Sequence, residues 1–304
     1  MSDQPFHEGE IAVQERAGER DLARRLAAGI GSRIVAGALP FLERQRLLAI
    51  TASGNDGFLW TSVWCGKPGF VSSVDGQHVS IRPTLMSVSP DDPVWRRLAT
   101  GRDVGMLAIE ITSRRRLRIN GTVEMTSGDE IRIAVRESVG NCPKYIQRRV
   151  PCTVAVPALP EPGESGQTLD DARRELVERV DTSFVGSVHS VRGADASHRG
   201  GKAGFIRVVN ATTLRVPDYH GNGMFMTLGN FESDPRASLV AVDFERSRAV
   251  SFSGAAHLRS GVEDPRQPTG GTERYWELDV REWVQFDLPS GVRWELIDPS
   301  PFNP

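Results

Sequence analysis

Apolar side chains recur at every second position in "HVSIRP" (78–83), "RLRINGTVEM" (116–125) and "EIRIAVRE" (130–137), and run almost unbroken in "GMLAIEI" (105–111). Period-two alternation with β-branched residues predicts strands with one buried face. A matching set follows in the second half: "GFIRVV", "TLRVPD", "SLVAVDF" and "AVSFSGAAHL". Helical spacing is confined to three stretches. "IAVQERAGERDLARRLAAGI" (11–30) predicts one amphipathic helix, and "DPVWRRLATG" (92–101) a short one capped by Asp92 and stopped at Gly101. "TLDDARRELVERV" (168–180) predicts a third, opened by a Thr168/Asp171 capping box. Successive strands lack the intervening helices that a parallel sheet needs, so antiparallel barrels are expected.

The two sets of strands echo each other. "GKPGF" at 66–70 returns as "GKAGF" at 201–205, an offset of 201 − 66 = 135 residues. At that offset Ser62 falls on Ser197, Val79 on Leu214 and Ile81 on Val216. At an offset of 133, Glu110 falls on Asp243 and Gly121 on Gly254. We read the chain as a duplication of roughly 41–126 in 181–260, folded as an internal pseudo-dimer with a ligand groove between the copies. "PALPEPGESGQ" (157–167) is the best linker by composition. The expected units are 1–156 (N-terminal helix and a degenerate first barrel), 157–180 (linker and helix) and 181–304 (the cofactor-binding copy).

The copies differ at one place. "LWTSVWCGKPGF" becomes "ADASHRGGKAGF", which sets His198, Arg199 and Gly200 against Val63, Trp64 and Cys65. Downstream, "VPDYHGNGMFMTLGN" (216–230) carries a Gly221-Asn222-Gly223 turn whose amides can converge on an anion. Amides, small hydroxyls and a guanidinium together suit a phosphate. The rest of the composition narrows the field. A formal net charge of −2 argues against a nucleic-acid binder, and "SRRRLR" (113–118) reads as a solvated strand face. Three cysteines without CxxC spacing point to a reducing compartment and no structural zinc. With neither a signal-peptide pattern nor an apolar run long enough for a membrane span, a cytoplasmic location is expected.

"DASHRGGKAGFIRV", "VPDYHGNGMFMTLGN", "DPRASLVAVDFE", "FHEGE", "GDEIRIAVRESVGNCPKYIQRR" and the closing "SPFNP" resemble the FMN-binding split-barrel family related to pyridoxamine 5′-phosphate oxidase, in its long, duplicated branch. The resemblance covers nearly the whole chain. It implies a mainly β (α+β) fold of two antiparallel split β-barrels in tandem, forming an internal pseudo-dimer with an N-terminal helix. FMN would lie at the interface, one per chain, with vitamin B6 oxidation disfavoured because "VPDY" and "GNG" replace the oxidases' own motifs.

On that resemblance Arg199 or Lys202 serves the phosphate or the flavin's pyrimidine edge. Asn222 and the amides from Gly221 to Gly223 hold the phosphate, and Asp218 accepts from the flavin N3–H or caps a turn. Ser197, His198, Gly200, Pro217 and Tyr219 complete the second-copy set, and Lys144, Tyr145 and Gln147 are expected near the flavin. Trp60, Trp64 and Cys142 are read as packing groups. The expected activity is an FMN-dependent oxidoreductase moving electrons between NAD(P)H, or a small organic donor, and an acceptor. No Rossmann motif offers a separate nicotinamide domain. The alternatives are a non-enzymatic flavin carrier or sensor, or a haem or deazaflavin binder using His189, His198 or His220. A small-molecule substrate is the expected partner, with a homodimer as the candidate assembly, and neither nucleic acid, membrane nor metal is called for.

Overall fold

The computed structural model describes residues 5–153, 163–265, 268–288 and 292–304. One sheet takes the strands β1 (Ile30–Gly31), β2 (Leu47–Ser53), β3 (Leu59–Gly66), β4 (Val71–Ser72), β5 (His78–Ile81), β6 (Met86–Ser87), β7 (Asp103–Glu110), β8 (Arg115–Thr126) and β9 (Ile131–Gly140). After β10 (Arg148–Thr153), a second sheet takes β11 (Glu164–Gly166), β12 (Thr182–His189), β13 (Gly193–Gly200), β14 (Arg207–Asn210), β15 (Thr213–Pro217), β16 (Arg236–Asp243), β17 (Arg248–Ser260) and β18 (Arg274–Asp287). The last strand, β19 (Val292–Asp298), pairs with β10. All pairings in both sheets are antiparallel, and the fold is mainly β: two curled split barrels in tandem.

The sheets share one strand order. β4-β5-β9-β8-β7-β2-β3 in the first is matched by β14-β15-β18-β17-β16-β12-β13 in the second. The registers agree as well. Leu47 pairs Cys65 and Thr182 pairs Gly200, each 135 residues on (182 − 47 and 200 − 65). Ala108 lies opposite Leu48 and Ala241 opposite Ser183, in register with the step to 133 (241 − 108). Both long central strands are bulged at the same point, Asn120/Gly121 and Ser253/Gly254. There a Cβ on either glycine would collide with a carbonyl of the neighbouring strand, Ala134 or Asp279, so only glycine fits the bulge. The opening echo is a turn. Gly69 and Gly204 have φ +88° and +84°, and the amides of Phe70 and Phe205 close on the carbonyls of Lys67 and Lys202 at 3.0 Å in both. The repeat also reaches past 126 and 260, because β9 and β18 correspond at an offset of 145 (280 − 135 at the bulge).

The sheets pack face to face across a pseudo-two-fold axis. Each barrel has its own apolar interior, and a third cluster is shared: Leu47, Ala49, Val63, Leu107 and Ile109 meet Phe184, Ala196, Val240 and Val242. The contact is reciprocal, as a two-fold requires. Thr61 bonds Ser238 through the hydroxyls, and their counterparts Ala196 and Gly105 touch in turn, so closely that Gly105 has no room for a Cβ.

Local expectations needed correction at the helices. Residues 11–30 form two helices, α1 (Glu8–Arg16) and α2 (Arg20–Leu26), not one, because Gly18 at φ +69° ends the first. The first helix is capped by His7, which accepts from Gly9 and returns a full capping box with Glu10. After α3 (Leu39–Glu43), Asp92 caps only a single 3-10 turn, Trp95–Arg97. α4 (Asp171–Arg179) is capped by Asp170 instead of Thr168. The last helix, α5 (Met226–Ser233), was not foreseen. It packs under α1, with Gly9 and Gly229 in close approach. Residues 157–162 of the expected linker lie outside the described residues; of the remainder, 164–166 form β11.

Candidate functional site

A cleft opens where the end of β8 from the first sheet meets the end of β13 from the second. It encloses about 110 Å³ and, counted out to its open mouth, about 840 Å³. Of the sequence-predicted residues, Ser197, His198, Arg199, Gly200, Pro217, Asp218, Tyr219, Gly221, Asn222, Gly223 and Tyr145 line it, so a set drawn from three separate segments converges.

Three predicted residues do not line it. Lys202 is exposed and opens the repeated turn, where it corresponds to Lys67. The Lys144 ammonium lies 5.7 Å from the Phe302 ring centre and 3.5 Å from the His220 carbonyl. Gln147 is buried behind the wall. Its amide donates to the carbonyls of Tyr145 and Gly201 at 3.1 Å, and its oxygen accepts from the Ser300 amide at 2.8 Å, which ties down the "SPFNP" segment. The glycine turn, which does line the cleft, differs from expectation in its backbone. Only Gly223 has positive φ, +72°, where it packs against Glu19 and Leu22 of the N-terminal segment, and the Asn222 side chain accepts from the Met224 amide at 3.1 Å.

The larger omission is on the first sheet. Arg116 and Arg118, inside the run taken for a solvated face, line the cleft, and Arg118 is only 6% exposed. The bulge at Gly121 and the tight sheet–sheet contact bring this stretch of β8 under the second sheet. Period two alone cannot distinguish a strand face open to water from one covered by another sheet. Arg118 donates to the Ser197 hydroxyl, contacts the Met226 sulfur, and lies 3.6 Å from Asp195. Arg116 donates to the Cys142 carbonyl at 2.7 Å, and Arg199 to the His198 carbonyl at 3.2 Å. Neither Arg116 nor Arg199 makes an ion pair with a carboxylate among the described residues. Asp218 is held by Arg274 at 3.0 Å.

The result is an excess of buried positive charge. Burial, reinforced by Arg116, Arg199 and Arg149, holds the His198 imidazole well below its ordinary range. Burial and the neighbouring guanidiniums also lower Arg116 and Arg199. His198 is 4% exposed, and both its ring nitrogens, like Nε of Arg118 and Arg199, lack a hydrogen-bond partner among the described residues. Burying a charge or donor without a partner is costly, so such a cluster calls for an anion. The first turn of α5 adds to it. Met226, Thr227 and Leu228 line the cleft, and the cap position, Phe225 at φ +55°, supplies no side-chain acceptor to their amides. The remaining walls are apolar or aromatic: Phe205, Met224, Phe225, Leu228, and the paired rings of Tyr145 and Tyr219, 4.9 Å apart. Burial raises both phenols to about 12, so they stay neutral hydrogen-bonding groups.

No family model and no curated protein matches the chain. Several solved structures are similar over part of it. HupZ of Group A Streptococcus aligns at 16% identity and TM-score 0.32, covering 41% of this chain and 98% of its own. A Lactobacillus delbrueckii protein with the provisional name pyridoxamine 5′-phosphate oxidase aligns at 15% and 0.31, covering 38% and 93%. A FAD-binding protein of Mesorhizobium loti aligns at 5% and 0.30, covering 41% and 97%. No helix among the described residues is long and apolar enough to cross a membrane.

Proposed function

We propose that the cleft binds FMN and that the protein is an FMN-dependent oxidoreductase. The observation that carries this reading is an internal control. At the pseudo-equivalent place in the first barrel, Ser62 and Trp64 donate to the Asp92 carboxylate, which also caps the Val94 and Trp95 amides at 2.9 Å. The cleft repeats that scaffold, with Ser197 bonded to Thr227 at 2.7 Å and the α5 amides in line. It has no carboxylate of its own there, and it adds Arg116 and Arg199. An anion supplied from outside completes it, and a phosphate monoester is the group that two guanidiniums and helix amides suit best.

The residues fit a flavin nucleotide. Arg116, Arg199, Thr227 and the α5 amides would hold the phosphate, and Phe205, Met224, Phe225 and Leu228 would enclose the apolar ring. Asp218 and the neutral tyrosines would meet its polar edge. The flavin when bound would supply two-electron redox chemistry, while the cations stabilise negative charge on it. His198, held neutral, serves as a hydrogen-bonding group and not as a resident charge. Of the three histidines considered for haem, only His198 lines the cleft: His189 stacks on His7 at 4.1 Å and His220 is an exposed loop residue. An electron donor such as NAD(P)H would reach the flavin through the open mouth.

The test has two stages. Ligand-free protein titrated with FMN should quench flavin fluorescence to one equivalent per chain. The complex should then bleach anaerobically with NADH or NADPH. No saturable quenching would overturn the flavin reading. Binding without bleaching by any donor would leave a flavin carrier.

A further inference from the structure

The three cysteines sit in three different electrostatic settings. Cys65 is buried in the shared core, which pushes its thiol up to about 12. Cys152 lies on β10, where burial and Glu295 raise it. Cys142 is half-buried and lines the cleft, with its sulfur 3.5 Å from an Arg116 guanidinium nitrogen. Among the described residues it is the one thiol of the three whose sulfur meets a guanidinium, and a guanidinium can pair with a thiolate, the nucleophilic form. The same cleft is marked as a ligand site by His198, more than nine-tenths buried with both ring nitrogens unpartnered among the described residues. Cys142, expected from the sequence to pack, also lines the cleft.

We propose that Cys142 is a thiol–disulfide exchange site opening onto the cleft, selective for small disulfides that carry carboxylates and shielded when the cleft's anionic ligand is bound. The Cys142 thiolate attacks one sulfur of the disulfide. The disulfide's own S–S bond breaks, a bond forms between that sulfur and Cys142, and the other half leaves as a thiolate. No outside oxidant or reductant is needed. Arg116 has a double part, since it contacts the attacking sulfur and complements the carboxylates of the incoming molecule. Ligand and disulfide would thus compete for one set of cations, coupling occupancy of the cleft to the thiol redox state around the protein.

Oxidised glutathione is a suitable probe. The full chain, freed of bound ligand, is incubated with it and followed by intact mass and peptide mapping, in the presence and absence of FMN or inorganic phosphate. The expected result is one adduct, at Cys142, forming about tenfold faster than at Cys152, and slowed by phosphate and by FMN. Arg116→Gln should slow it, and Cys142→Ser should abolish it. Equal rates at Cys142 and Cys152, or Cys142 labelling indifferent to both anions, would overturn the proposal. The wild-type mapping decides the matter even if a variant folds poorly. Protection by phosphate but not by FMN would uphold the exchange site while counting against the flavin reading, so the two can fail separately.

Discussion

The two ends of the inter-barrel interface are built on one scaffold and have opposite interiors. At one end the positions equivalent to Arg116, Arg118, His198 and Arg199 are Ala249, Ser251, Val63 and Trp64. Trp64 is fully buried against Trp95, 5.7 Å edge to face, and its indole N–H reaches Asp92. Ser251 donates to the Thr61 carbonyl at 2.7 Å. Ser62, Trp64, Asp92 and Ser251 there all have internal partners. At the other end the cations lining the cleft outnumber the carboxylates, and several buried nitrogens have no partner among the described residues. One backbone thus closes on its own polar groups at one end and, at the other, leaves several of them open among the described residues.

This contrast can be broken experimentally. The largest effect should come from Trp64→Ala, which removes a fully buried indole from the closed end and should cost about 3–5 kcal/mol of stability. Urea unfolding measures it, and an unchanged midpoint would show that the closed end is not packed. Next, Thr227→Asp should convert the open end into a copy of the closed one by placing a carboxylate beside Ser197. Repulsion of a bound anion costs several kcal/mol, so FMN affinity should fall by more than about a hundredfold. The ligand-free protein should melt higher, not lower. Arg199→Ala and Arg116→Ala should each weaken FMN binding by about ten- to a hundredfold, since a charged hydrogen bond contributes about 1.5–3 kcal/mol. Their ligand-free stability should hold or rise, because each removes a repelling charge; a large loss would mean that these arginines are structural.

The smallest effect concerns pH. The helix α1 lies over the open end's α5 and buries Glu10, whose carboxyl burial raises to about 8, while Glu137 nearby is raised to about 7 by burial and then Asp195. Because their folded values exceed the unfolded ones, the native state holds these protons longer, and stability is lost as pH rises. His7, lowered to about 4 by burial, acts in the opposite sense, but only below about pH 6.5. Between pH 7 and 8 stability should therefore fall by up to about 1.4 kcal/mol per unit. Glu10→Gln should flatten that slope in thermal melts taken across the range; a slope that persists would assign it to another group.

Much of the fold could be read from the chain because it depends on local rules. The glycines at 69 and 204 demand a turn, those at 121 and 254 demand a bulge, and alternation sets strand faces. The paired offsets of 135 and 133 therefore carried over to the registers without change. The candidate site was legible on one side only. His198, Arg199 and the 217–223 loop stood out because their counterparts in the first copy are apolar. Arg116 and Arg118 did not, because their neighbours in sequence are those of any solvated strand.

The sequence by itself determined the strand pattern, the repeat and the segment in which the copies diverge, since each depends on neighbours a few residues apart or on comparison of like with like. Only the tertiary structure decided which face of β8 is covered, that Lys202 turns outward and Gln147 inward, and that Cys142 meets Arg116. Those outcomes depend on two sheets crossing at contacts that Gly105 and Gly186 keep free of side chains. Charge becomes chemistry there because packing removes water from groups up to 108 residues apart in the chain, as between Arg118 and Met226.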